Sequence, residues 1–138
     1  YPKYCELDFC RISYVDAVSG ARSFGLMEEL EYAQSINKCL GSSLDNAVGI
    51  SGDEIVNAEG LRYEDEFVKH KMLDAIGDLY LLGMPILGAF NGFKSGHALN
   101  NKLARALLRC EDAWEVVSFD RNSKAPSHQA LMQPAISS

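Results

Sequence analysis

No stretch of this sequence stays apolar for the roughly 18 residues that a membrane-spanning helix needs. The richest, residues 79–90, is interrupted by Gly83, Pro85 and Gly88. The opening, Tyr1-Pro2-Lys3-Tyr4, has no apolar segment after a basic start and does not read as a signal peptide. It also lacks an initiator Met, so an upstream start stays open. Cysteines are scarce, four in 138 residues, and Cys5, Cys10, Cys39 and Cys110 form neither a CxxC pair nor a framework spacing. A reduced, cytoplasmic protein is the simplest expectation. Basic residues are outnumbered, 13 against 19 acidic, for a formal net charge of −6. That balance argues against general binding to nucleic acid or an anionic membrane, both polyanions. A local basic pocket for a phosphorylated ligand remains compatible with it.

What is present is the composition of an ordinary globular domain, 47% hydrophobic and 23% charged, in a chain long enough to bury a core. Residues 5–11 alternate weakly and predict a strand, 14–21 a short helix and 28–35 another. Gly41-Ser42-Ser43 is a loop. Short strands over 47–51 and 54–57 flank Ser51-Gly52-Asp53, a hairpin signal. The strongest helix spans 62–83, with Val68, Met72, Ile76 and Leu79 as its buried stripe and Gly83 then Pro85 to stop it. A strand at 87–93 is followed by a helix over 98–109 whose core face carries Leu99, Leu103, Ala106 and Leu107. A last strand covers 114–119, and the polar segment 120–138 reads as a flexible tail. Short strands mixed with two good helices predict an α+β layered domain, a sheet packed on helices.

Two groups of residues carry chemistry. Glu66, His70, Asp74 and Asp78 recur every fourth residue along the long helix, opposite its expected core stripe. A His and a carboxylate one turn apart can reach one metal ion. Polar groups on the wet face of a helix are more often simply solvated, so spacing alone leaves both readings open. The second group is Lys94-Ser95-Gly96-His97-Ala98-Leu99-Asn100-Asn101, with His97 where a turn gives way to a helix. A helix N-terminus disfavours imidazolium and a nearby carboxylate favours it. Such opposed influences suit a histidine to proton transfer, although His97 can equally be a residue that merely ends a turn. Lys71 and Lys94 have the same bland alternative as surface lysines, and His128 has no assigned role.

Taken together, the run from Arg62 through Glu66, His70, Lys71 and Asp74 to Asp78, followed by Lys94-Ser95-Gly96-His97-Ala98-Leu99-Asn100-Asn101, closely resembles the UDP-3-O-acyl-N-acetylglucosamine deacetylase family. Ala21-Arg22-Ser23-Phe24-Gly25-Leu26-Met27 and Leu40-Gly41-Ser42-Ser43 match further motifs of that family in order and spacing. The similarity runs from about residue 7 to 119. The resemblance implies a cytoplasmic zinc hydrolase of lipid A synthesis in Gram-negative bacteria. Its substrate is a UDP-linked, 3-O-acylated glucosamine, from whose 2-amino group it removes acetate. The family has two similar α+β domains with the active site between them. On this resemblance residues 1–119 are the C-terminal catalytic domain, truncated at its start, with an acyl-chain insert at about 26–50.

The same resemblance assigns roles. His70 and Asp74 are two of three protein ligands to Zn2+. The third ligand, and the glutamate that takes a proton from the metal-bound water, belong to the N-terminal domain. Ser23, where the family usually has threonine, helps stabilise the oxyanion. His97 protonates the departing amine, Asp78 holds and charges its imidazole, and Lys71 contacts substrate near the reacting centre. Lys94 binds the nucleotide-sugar portion. Phe24, Met27, Leu30, Cys39, Ser43 and Gly49 line the substrate and acyl-chain site. Gly49 stands where a branched apolar residue is more usual, which suggests a wider or less rigid passage. With the N-terminal domain missing, the chain alone is expected to be inactive. The alternative is a non-catalytic nucleotide-sugar or acyl-chain binding module of the same fold, or a plain structural domain. Retention of His70, Asp74, Asp78, Lys94 and His97 together argues against the first, and the length and register of the matches argue against the second.

Overall fold

The computed structural model describes residues 4–7 and 14–119. They divide into two compact units, 4–7 with 14–73 and 74–119. The first unit contains helix α1 (Tyr14–Ala17), strand β1 (Ser23–Leu26), helix α2 (Met27–Ser35) and strands β2 (Ala47–Ser51) and β3 (Glu54–Ile55). Helix α3 (Glu66–Tyr80) begins in it and continues into the second unit. The second unit holds helix α4 (His97–Arg109) and a 3-10 turn at Glu111–Ala113. Helices and a small mixed sheet make an α+β arrangement. No described helix is long and apolar enough to cross a membrane.

The sheet runs β1-β2-β3. β1 pairs with β2 in parallel, Phe24 opposite Val48 and Gly25 opposite Gly49. A parallel pair needs a crossover connection, and α2 supplies it while lying against both strands. β2 and β3 pair antiparallel as the Gly-Asp signal predicts, with Gly52 at a φ of 58° in the two-residue turn. Asn57, buried just past β3, ties the layer together. Its Oδ1 accepts from the Gly49 amide at 2.8 Å, and its Nδ2 donates to the carbonyls of Leu44 and Ala47, each at 2.9 Å. Val18, Ala21 and Val48 are the buried apolar residues of this unit.

Several expectations need correction. β1 was not foreseen, because a four-residue Ser-Phe-Gly-Leu strand has little pattern until β2 is beside it. The helix expected over 14–21 stops at Ala17, and residues 4–7 are not in a strand; the rest of the strand expected at 5–11 lies outside the described residues, as does the expected tail at 120–138. α3 is shorter than 62–83 at both ends. Its start is delayed because the Arg62 amide donates to the Glu66 carboxylate at 2.6 Å. Its end tightens, with the amides of Leu82 and Gly83 bonded three residues back and Gly83 at a φ of 82°. Neither 87–93 nor 114–119 forms a strand, since no partner pairs with them among the described residues and Phe90, Phe93, Val116 and Phe119 stay exposed.

The two helix faces also differ from the expected ones. On α4, Leu99 is 55% exposed and Leu103 is exposed as well, whereas Asn100 and Ala104 are buried. On α3 the row read as opposite the core is well covered: Glu66 is wholly buried, and the side chains of Asp74 and Asp78 are only 12% and 19% exposed. Hydrogen-bond partners explain both cases. On α4, Asn100 meets Asp78 and lies inside while Leu99 and Leu103 lie further out; on α3, Glu66 meets Arg22 and is the most buried, beside a half-buried stripe of Val68, Met72, Ile76 and Leu79.

Candidate active site

In the first unit the site is built where the segment 21–24 meets the first turns of α3. Arg22 is buried and makes five hydrogen bonds there. Its backbone N–H and its Nε both donate to Glu66 Oε1 at 2.9 Å. Its Nη2 donates to Glu66 Oε2 at 3.2 Å and to the Gly60 carbonyl at 2.7 Å. Its Nη1 donates to Glu59 at 2.6 Å. Burial pushes the Glu66 carboxyl upward, the largest single influence, but the bonds from Arg22 and Arg62 and the guanidinium charge outweigh it and hold it at about 2. Among the described residues no buried side-chain nitrogen or oxygen lacks a hydrogen-bond partner.

One turn beyond Glu66, His70 sets its Nδ1 3.1 Å from the Ala21 carbonyl oxygen. A carbonyl can only accept, so Nδ1 carries a proton and donates it to that oxygen. Phe24 packs beside this histidine, with ring centroids 6.0 Å apart and edge-on, and against Phe67 at 4.6 Å. Lys71 Nζ stands 5.6 Å from the Phe24 centroid, a cation–π contact. Ser23, expected at the oxyanion, is exposed as the first residue of β1.

In the second unit, His97 opens α4 and donates or accepts through Nδ1 at 2.9 Å from Asp78 Oδ2 and 3.1 Å from Oδ1. A carboxylate accepts, so this contact again places the proton on Nδ1. Asp78 Oδ2 also accepts from buried Asn100 Nδ2 at 2.9 Å. His97 Nε2 lies 3.8 Å from Asp74 Oδ1, and the His97 side chain is 72% exposed. Asp78 can therefore orient the imidazole through its Nδ1. Lys94 occupies a left-handed backbone position at a φ of 49°, its ammonium 5.6 Å from the Phe93 ring centroid.

The remaining expected residues spread over the first unit. Met27 and Leu30 are partly buried on α2, whereas Cys39 and Ser43 are exposed in the loop before β2. The Ser43 hydroxyl accepts from the Asp45 amide at 3.2 Å. Gly49 does not simply widen a passage. A Cβ built there would lie 2.6 Å from Met27 Sδ and 2.7 Å from Leu44 Cδ2 and Val56 Cγ2, so those side chains already fill the space.

The model of the UDP-3-O-acyl N-acetylglycosamine deacetylase family, LpxC, matches residues 2–109. The chain belongs to this family. It is 59% identical over 122 residues to the UDP-3-O-acyl-N-acetylglucosamine deacetylase of Thioalkalivibrio sulfidiphilus (strain HL-EbGR7), an alignment covering 88% of this chain and 40% of that protein. The chain thus spans about 40% of the length of the curated relative it matches.

Within this LpxC-family chain, sequence reasoning missed three supporting residues. In the sequence Arg22 stands out only as part of a motif, Glu66 only as a member of a helical row, and Asn100 only as a near neighbour of His97. Each has a weak signal in hindsight: an arginine beside Ser23, a glutamate one turn before His70, and an asparagine one turn after His97. The Ala21 carbonyl has none, because every residue carries one.

Proposed function

We propose that this chain is part of a cytoplasmic, zinc-dependent hydrolase that removes the N-acetyl group of UDP-3-O-acyl-N-acetylglucosamine in lipid A synthesis. The observation that carries the reading is the way each histidine is held within its own unit. Each sets Nδ1 against an acceptor of the protein, His70 on the Ala21 carbonyl and His97 on Asp78, so that a bond to a ligand would be made through Nε2.

His70 and Asp74, four residues apart on α3, suit a zinc ion chemically: an imidazole backed by a carbonyl, and a carboxylate. Among the described residues no three His, Cys, Asp or Glu side chains gather as a metal site, so a third protein ligand has to come from elsewhere. When bound, zinc supplies an acidified water and a Lewis acid for the acetamide carbonyl. The protein's own residues do the rest. Ser23 donates its hydroxyl proton in a hydrogen bond to the oxyanion. His97, held by Asp78, gives a proton to the departing amine. Lys71, beside Phe24, brings positive charge to the reacting end of the substrate. Lys94 binds the nucleotide-sugar portion, and Met27, Leu30, Cys39, Ser43 and Gly49 border the acyl chain.

The resemblance assigns the third ligand and the proton-accepting glutamate to the N-terminal domain, so the 138-residue chain alone is expected to show negligible turnover. The test is a zinc titration of the chain and of its His70→Ala variant, at neutral pH with reduced cysteines. Binding near one equivalent, clearly weakened by the substitution, supports the reading. Equal binding by both proteins, or none by either, counts against a zinc site at His70.

A further inference from the structure

The buried Arg22–Glu66 pair takes no part in the chemistry above, yet it is joined to His70 through a single peptide group. The N–H of Arg22 and the C=O of Ala21 belong to the same peptide bond. That N–H donates to Glu66 Oε1 at 2.9 Å, and that C=O accepts from His70 Nδ1 at 3.1 Å. Glu66 and His70 are one turn apart on α3, a rise of about 6 Å. A trans peptide is planar, with its N–H and C=O pointing in opposite directions. Fixing the N–H on Glu66 therefore fixes where the carbonyl points. The Arg22 guanidinium keeps Glu66 ionised and fills both its oxygens, so the carboxylate cannot swing away.

We propose that the Arg22–Glu66 pair is a positioning device for His70. It locks the 21–22 peptide onto α3, so that the Ala21 carbonyl accepts from His70 Nδ1–H and fixes which ring nitrogen faces the peptide. That Nε2 meets zinc rests on the proposed function; the bond at Nδ1 does not.

The experiment is nitrogen-15 NMR of the histidine rings in the metal-free 138-residue chain, with zinc affinity measured alongside. Wild-type His70 is expected in the Nδ1–H form. Glu66→Gln, which has one acceptor oxygen where four donors converge, is expected to raise the Nε2–H form to a comparable population. It should also weaken zinc binding about 10- to 100-fold, the usual effect of losing a ligand's supporting hydrogen bond. Arg22→Met should act similarly, whereas Arg22→Lys, which keeps a cation beside Glu66, should restore most of the wild-type tautomer. Asn57→Asp destabilises the same unit away from this peptide and should leave the His70 spectrum unchanged. An unaltered His70 tautomer in folded Glu66→Gln, or an equal change in Asn57→Asp, overturns the proposal. If Glu66→Gln does not fold, the contrast between Arg22→Met and Arg22→Lys decides. Zinc binding indifferent to His70→Ala would remove the metal role of His70 while the tautomer data still judge the clamp.

Discussion

Replacing Glu66 by glutamine should remove a large share of the stability of the first unit, by an amount that depends on pH in a defined direction. The Glu66 side chain is wholly buried and its carboxyl is held at about 2, against 4.5 for an ordinary glutamate. At about 1.4 kcal/mol per pKa unit, that gap corresponds to roughly 3 kcal/mol of stabilisation at neutral pH. Breaking a buried ion pair by removing one partner costs about 3–5 kcal/mol, so the two estimates agree on scale. Against a typical total of about 5–15 kcal/mol, the effect is large.

Because the folded-state pKa lies below the unfolded one, the unfolded chain binds the extra proton as the pH falls. The contribution is fully present above about 4.5 and is lost as the pH approaches about 2. Urea unfolding followed by far-UV circular dichroism, from neutral pH down to about pH 3, measures it. The wild-type and Glu66→Gln curves should lie about 3 kcal/mol apart at neutral pH and converge on acidification, by at most about 1.4 kcal/mol per pH unit. A separation below about 1 kcal/mol at neutral pH, or curves that stay parallel down to pH 3, would refute the argument. Replacing both members by apolar residues, as in Arg22→Met with Glu66→Met, should recover much of the loss, since no buried charge is then left unpaired.

Three further outcomes follow from the same geometry. Asn57→Asp sets a carboxylate against the carbonyls of Leu44 and Ala47, where an amide now donates at 2.9 Å to each, and should cost about 2–4 kcal/mol in urea unfolding. Gly49→Ala should cost about 1–3 kcal/mol because its Cβ would meet Val56 Cγ2 at 2.7 Å; adding Val56→Ala should relieve part of that cost, and an equal loss in the double variant would point to another cause. Asn100→Asp would place a second carboxylate where Asn100 Nδ2 now donates to Asp78 at 2.9 Å, and hydrogen exchange of α4 should speed up at neutral pH and recover on acidification, as one carboxylate takes up a proton.

Helices and the hairpin were legible because their signals are local. Residues 27–35 and 97–109 form helices within a residue of expectation, and 47–55 forms the hairpin. β1 was not, because a parallel strand has meaning only beside a partner more than twenty residues away, and the ladder from Ser23↔Ala47 to Leu26↔Ile50 is what defines it. Residues 87–93 and 114–119 show the converse: an apolar run satisfies strand propensity without supplying a neighbour to bond.

The same division governs the site. Periodicity put Glu66, His70, Asp74 and Asp78 on one face of α3 correctly, but a period identifies which residues share a face and cannot say which face is covered. Cover was decided by groups distant in sequence: Arg22 for Glu66, the Ala21 carbonyl for His70, and Asn100 and His97 for Asp78. A polar row can lie as deep as an apolar stripe when its members meet partners of matching hydrogen-bond character, because a satisfied buried polar group avoids most of the desolvation penalty that would otherwise expel it. On α3, Glu66, accepting four bonds, is wholly buried, and Asp78, shared between His97 and Asn100, keeps a fifth of its side chain in water.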